Sequence, residues 1–189
     1  MKPLDIAILR LPHVSNFTDF IPLEQHPLLG VRYVQNPRQL GTPDLVILPG
    51  TKNTMDDLRW LRESGLEPLV QKLAASGTPV LGVCGGYQML GEELRDPAGE
   101  ESGTPGTLRG LGLLPTVTTF NAEKHLTQTE AVTAAGPFAG AMLTGYEILP
   151  DAPRCGAKGS APLRTARRRA VCRAMCLAPT CTACSTPAN

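Results

Sequence analysis

The stretch that most limits what this chain can become is residues 80–90, Val-Leu-Gly-Val-Cys-Gly-Gly-Tyr-Gln-Met-Leu. A short apolar run passes through Gly82, Cys84 and Gly86 at alternate positions and continues straight into residues of helical character. Glycines on either side of the cysteine allow a strand and a helix to approach closely, and a tight turn between them lifts the intervening side chain into a cleft. A thiol at Cys84 then faces the positive end of a helix, which favours thiolate, and the Gly85 amide is placed to stabilise an oxyanion. Spacing alone leaves a second reading open, in which Cys84 is a buried core cysteine.

The residues before this turn alternate between two periods. Residues 5–9, 31–34, 44–48 and 79–83 are short apolar runs of strand length. Between the third and fourth runs lie two helical patterns. The first has Thr54 in the capping position, Asp56 and Asp57 in the first turn, Leu58 and Leu61 on one face with Trp60 nearby, and a stop at Ser64-Gly65. The second runs from Leu66 to Ser76 with Leu66, Leu69, Val70 and Leu73 at helical spacing. Strands alternating with helices predict an α/β fold, a doubly wound and mostly parallel sheet flanked by helices, whose ligands bind at the C-terminal strand ends. Pro49-Gly50-Thr51 and Cys84-Gly85 both occupy such ends and can share one cleft.

Beyond the turn, residues 96–107 are rich in Gly, Pro and acids and read as a surface loop, while 111–114, 116–120 and 145–148 read as strands. A hairpin is expected around Ala135-Gly136-Pro137. The three histidines, His13, His26 and His125, all read as loop residues, with acid–base or ligand roles secondary to solvation.

A chain of 189 residues, 42% hydrophobic and 19% charged, fits one domain with a sizeable core. No apolar run reaches membrane-spanning length and the first residues lack a signal-peptide core, so no membrane contact and a cytoplasmic location are the defaults. The net charge of +1 averages two unlike parts. Residues 149–189 carry seven Lys/Arg against one acid, a net of +6, and residues 1–148 are therefore at −5. Five of the six cysteines lie in the basic tail and all eight aromatics lie before it. A four-thiolate zinc site from Cys172, Cys176, Cys181 and Cys184 has only its last spacing typical, and the arginine run lacks aromatics for stacking on bases. Neither a metal nor a nucleic acid is expected.

Gly-Val-Cys-Gly-Gly-Tyr-Gln, with Gln88 four positions after Cys84, resembles the nucleophile motif of class I (triad-type) glutamine amidotransferases. Residues 8–12 with 15–20 (Ile-Leu-Arg-Leu-Pro, then Ser-Asn-Phe-Thr-Asp-Phe) carry the likeness further. So do 45–54 (Leu-Val-Ile-Leu-Pro-Gly-Thr-Lys-Asn-Thr), 60–65 and 110–115. Together these motifs are similar to the glutamine amidotransferase domain of the cobyric acid synthase family. The resemblance implies a flavodoxin-like sheet, incomplete at the C-terminus, over residues 1–148. It implies glutamine as substrate, Cys84 as nucleophile, an oxyanion hole at Gly50, Thr51 and Gly85, and Gln88 in the substrate site. It also implies an absent synthetase domain in the same enzyme, which alone uses ATP and Mg and through which ammonia reaches the carboxylates of a corrin substrate. No cofactor is expected in the amidotransferase domain itself, and the chain reads as a C-terminal fragment of such an enzyme.

The family supplies its base with a histidine near the C-terminus, in a motif like Gly-Thr-Tyr-Leu-His-Gly-Leu-Phe, and no histidine follows His125 here. Residues 176–185, Cys-Leu-Ala-Pro-Thr-Cys-Thr-Ala-Cys-Ser, can be encoded so that the shifted frame reads Phe-Gly-Thr-Tyr-Leu-His-Gly-Leu-Phe. The same shift at Leu149 permits His-Ala-Gly-Arg after Gly-Tyr-Glu-Ile, where the family pattern has His-x-Gly-Arg. Residues 149–189 are therefore expected to be a non-native, out-of-frame and disordered tail.

Overall fold

The computed structural model describes residues 3–120 and the backbone of residues 125–132, 142–149 and 154–155. The chain opens with β1 (Leu4–Leu9), a 3-10 turn at Phe17–Phe20, α1 (Ile21–Glu24), β2 (Leu29–Val34), α2 (Pro37–Leu40) and β3 (Leu45–Leu48). Then come α3 (Thr54–Glu63), α4 (Leu66–Ala75), β4 (Val80–Gly82) and the short α5 (Gly85–Met89). Strands β5 (Glu93–Asp96), β6 (Gly106–Arg109), β7 (Thr116–Thr119), β8 (His125–Val132), β9 (Met142–Leu149) and β10 (Arg154–Cys155) complete the order.

The first four strands form a parallel sheet in the order β2-β1-β3-β4. Its strands are nearly continuous apolar runs because both faces are covered. Side chains alternate between the faces. Ala7, Leu9, Val46, Leu48 and Val80 join the cluster that holds Met55, Leu58 and Leu61 of α3 and Leu66, Val70 and Ala74 of α4. Ile6, Ile8, Ile47 and Val83 point the other way, against Phe20 and Leu23. Helical cover on both faces is the doubly wound arrangement that the alternation of periods predicts.

A second sheet runs β10-β7-β5-β6, with β5 parallel to β7 and antiparallel to β6, and β8 pairs with β9 in an antiparallel ribbon. Leu94, Leu111, Leu114 and Phe120 carry the main core from the first sheet into this part of the chain. Residues 111–114 are not a strand; they run as bends whose Leu111 and Leu114 are buried while the Leu113 and Leu114 amides bond the Leu90 carbonyl. Apolar content there reflects burial of a loop beneath the elbow, a case that a short apolar run does not separate from a strand. His125 opens β8 instead of lying in a loop. The expected hairpin turn at 135–137 falls outside the described residues, although the strands flanking it pair as a hairpin requires. Of the expected tail, Leu149 closes β9 and Arg154–Cys155 pairs with β7; residues 150–153 and 156–189 lie outside the described residues. Among the described residues no helix is long and apolar enough to cross a membrane.

Candidate active site

Three parallel strands, β1, β3 and β4, release their chains at the same sheet edge, and the loops that follow them build one site. The loop after β4 is the most constrained. Cys84 has φ 50° and ψ −113°, and it is the one non-glycine among the described residues with positive φ. These angles are close to the first central position of a type II′ turn, which glycine normally takes. A side chain held in such a region costs about 1–3 kcal/mol and persists only where the surroundings over-determine it.

The surroundings do so through glycines. A Cβ on Gly86 would lie 2.1 Å from the Leu48 carbonyl oxygen and 2.7 Å from that of Pro49. One on Gly82 would lie 2.5 Å from Tyr87 Cα. Both contacts are with backbone, so β3, β4 and α5 pack at a distance that no other residue permits. Val83 N–H donates to Leu48 O at 2.9 Å, and Gly86 N–H to Val83 O at 2.9 Å, which locks the turn from both sides. Cys84 emerges as an exposed residue. The alternative of a buried core cysteine is thereby set aside. The helix behind it has only five residues, so its dipole supports a thiolate less than a long helix does.

The second loop, residues 49–53, lies against the elbow. A Cβ on Gly85 would meet Thr51 Cγ2 at 2.5 Å, Thr54 Oγ1 at 3.0 Å and Thr51 N at 3.4 Å, so the Thr51 amide nitrogen and Gly85 border the same space. Thr51 also faces Val14 in an antiparallel bridge. The bridge is closed by Ser15 N–H to Gly50 O at 2.9 Å and Lys52 N–H to His13 O at 3.0 Å, so neither bond uses the Thr51 amide. Of the expected oxyanion-hole residues, Thr51 and Gly85 are adjacent here, and Gly50 lies beside Cys84, whose Cβ is 3.6 Å from the position of a Gly50 Cβ.

Gln88 is half-buried on α5, and Thr54 Oγ1 donates to its Oε1 at 3.3 Å. Thr54 is therefore not the helix cap. Asn53 caps α3, its side-chain oxygen accepting from Asp56 N–H at 3.0 Å, and Thr54 is the first helical residue. Asparagine and threonine are both good caps, and the bond from Asp56 N–H to the Asn53 side chain decides between them. The Thr54 N–H in turn donates to the Glu101 carboxylate.

Asp57 was expected only to complement the helix dipole. It is wholly buried and holds two loops together. Its carboxylate accepts from the His13 amide at 3.3 Å, from His13 Nδ1 at 2.8 Å and from the Thr51 hydroxyl. His13 is thus a half-exposed ring whose Nδ1 carries the donated proton, and its pairing belongs to the wall of the site. His26 accepts from the Leu28 amide at 3.3 Å and has no contact with this group.

The loop expected at residues 96–107 is shorter at both ends, because Gly106 opens β6 and Asp96 is the buried end of β5. Its carboxylate accepts from the amides of Glu100, Glu101 and Ser102 at 2.8–3.2 Å. Burial pushes its pKa up, and the backbone N–H groups of Glu101, Ser102, Glu100 and Gly99 together outweigh that and hold it below the ordinary aspartate value. The carboxylate so anchored fixes the loop that brings Glu101 to Thr54. Among the described residues no group of three or more His, Cys, Asp or Glu could hold a metal ion.

The arrangement offers an exposed thiol on a strained turn, two backbone amides beside it and a polar amide side chain one helical turn on. Residues 5–154 match the CobB/CobQ-like glutamine amidotransferase domain. The chain is similar to the cobyric acid synthase of Moorella thermoacetica, 49% identical over 150 residues, which is 77% of this chain and 29% of that protein. It is similar to the cobyric acid synthase of Synechococcus elongatus, 52% identical over 143 residues, with 76% of this chain and 29% of that protein covered. The chain thus spans about three-tenths of the length of these relatives. Among solved structures, PurLQS from Thermotoga maritima superposes with TM-score 0.56 at 20% identity over 79% of this chain and 67% of that one. A glutamine amidotransferase crystal structure superposes with TM-score 0.57 at 18% identity, over 82% of this chain and 75% of that one. Both show the fold alone, a mostly parallel sheet with flanking helices as in the class I, flavodoxin-like enzymes. From the matched family and the identity of its relatives, the chain belongs to the CobB/CobQ-like glutamine amidotransferases.

Proposed function

We propose that this domain hydrolyses glutamine through a thioester on Cys84 and supplies the ammonia to a synthetase domain of a cobyric acid synthase, which uses ATP and Mg2+ to amidate corrin carboxylates. The positive-φ cysteine between close-packed glycines carries this reading, because strain of that kind is maintained where a nucleophile has to project. In the acylation step the Cys84 sulfur attacks the carboxamide carbon. The Gly85 and Thr51 amides, with the Gly50 loop, stabilise the oxyanion, the C–N bond breaks and ammonia leaves. Gln88, oriented by Thr54, shapes the substrate site.

Ammonia departs only once it has been given a proton, and the family's late histidine is missing from the sequence as written. A second reading is therefore a domain that retains the nucleophile and binds glutamine or a partner without turnover. The shifted-frame account of residues 149–189 separates the two. Two chains are compared for ammonia release from glutamine, the chain as written and one whose frame is corrected at codon 149. The corrected chain is expected to turn over, to lose turnover in Cys84→Ser, and to gain from a synthetase partner. Negligible turnover is expected of the chain as written. An inactive corrected chain with its partner present removes the amidotransferase assignment; normal turnover by the chain as written removes the frame-shift account.

A further inference from the structure

Gly50 is a glycine whose backbone does not need to be one, since it is absent from the glycines with positive φ. The reason lies in its neighbours. A Cβ there would stand 2.9 Å from Ser15 Oγ, 3.6 Å from Cys84 Cβ and 3.7 Å from Val83 O. The missing side chain leaves a notch bounded by a hydroxyl on one side and the nucleophile's residue on the other. Ser15 itself is exposed, yet its backbone is fixed by the bond to Gly50 O and by the Val14–Thr51 bridge. Asp57 holds that bridge at its other end through His13 and Thr51. With the backbone fixed, the hydroxyl oxygen has one torsion left to search, and a group so tethered loses little entropy on binding.

We propose that Ser15 is a substrate-contact residue whose hydroxyl donates to the carbonyl oxygen of the glutamine carboxamide, beside the Thr51 and Gly85 amides. The assignment rests on the amidotransferase reading above and adds to it a side-chain donor from the loop after β1. It also accounts for Gly50, since a larger residue there displaces the hydroxyl from the mouth of the site.

The test uses the full chain and a reaction that needs no separate base. 6-Diazo-5-oxo-L-norleucine carries a ketone where glutamine has its amide carbonyl. The thiol proton moves to the diazo carbon, the Cys84 sulfur displaces N2 from that carbon, and a thioether forms with the ketone intact. The rate of labelling is followed by intact mass, with iodoacetamide as a probe of undirected thiol reactivity. Ser15→Ala is expected to slow diazoketone labelling about tenfold, the effect of one lost hydrogen bond to the ketone oxygen of the bound reagent. The iodoacetamide rate of Ser15→Ala should stay within a factor of about two, because the thiol is not altered. Ser15→Thr, which keeps a hydroxyl, is expected to recover most of the rate. Equal diazoketone rates in wild type and Ser15→Ala overturn the proposal while leaving the amidotransferase reading standing. Equal slowing in Ser15→Ala and Ser15→Thr also overturns it, since the loop and not the hydroxyl is then responsible. A wild-type chain that takes iodoacetamide on Cys84 but no diazoketone overturns the amidotransferase reading, and the role of Ser15 with it.

Discussion

Replacing Cys84 by glycine should make the protein more stable than replacing it by alanine, the reverse of the usual order. Both changes remove the sulfur and its contacts, so their difference isolates the backbone. Alanine keeps a Cβ at φ 50° and ψ −113°, where the strain is about 1–3 kcal/mol. Glycine relieves it, at a cost of about 0.5–1 kcal/mol in the freedom of the unfolded chain. The exposed position removes burial from the comparison. The net expectation is that Cys84→Gly exceeds Cys84→Ala by about 0.5–2 kcal/mol, or about 1–8 °C in Tm for a chain of this size. Urea unfolding followed by Trp60, the single tryptophan, measures it, with equal m values required for the comparison. A Cys84→Gly protein no more stable than Cys84→Ala would refute the argument, because the turn would then hold no strain and the main structural support for a nucleophile at this position would be gone.

Asp57→Ala should destabilise by about 2–4 kcal/mol, since it strands the His13 amide, His13 Nδ1 and the Thr51 hydroxyl; a urea midpoint within error of wild type counts against the latch. Asp96, held below the ordinary aspartate value in the folded state, contributes stability that is present above the unfolded-state pKa and is lost as pH falls through the folded one. Asp96→Asn is accordingly expected to be less stable at neutral pH and to lose less on acidification, as read from unfolding midpoints across the acid range.

The order of β1 to β4, of α3 and α4 and of the helix after Cys84 was legible from the sequence because it rests on local properties, whereas the one-turn helices α1 and α2, in stretches that read as loop and link, were not. Apolar runs of strand length, leucines at helical spacing and glycines at 82 and 86 state their geometry within a few residues. The elbow at Cys84 belongs to the same class, since a turn that admits only glycine on both flanks is written in the chain itself. Thr51 and Gly85 were foreseeable as neighbours for a related reason: in a parallel sheet, successive strands deliver their C-terminal loops to one edge.

What surrounds the nucleophile was decided only by the tertiary structure. Asp57 and His13 are 44 residues apart, Thr54 and Glu101 are 47, and Thr54 and Gln88 are 34. Each of these residues has an adequate local explanation, as a dipole acid, a solvated loop histidine, a cap or a surface glutamate, and no local pattern distinguishes that role from the long-range one. Burial makes the difference. A carboxylate at the start of a helix is a small surface effect in water, but shut beneath two loops, as Asp57 is, it must find donors, and the donors it finds set the shape of the site. Asp96 and residues 111–114 follow the same rule, one a charge and the other an apolar run whose surroundings, not their sequence, determine what they are.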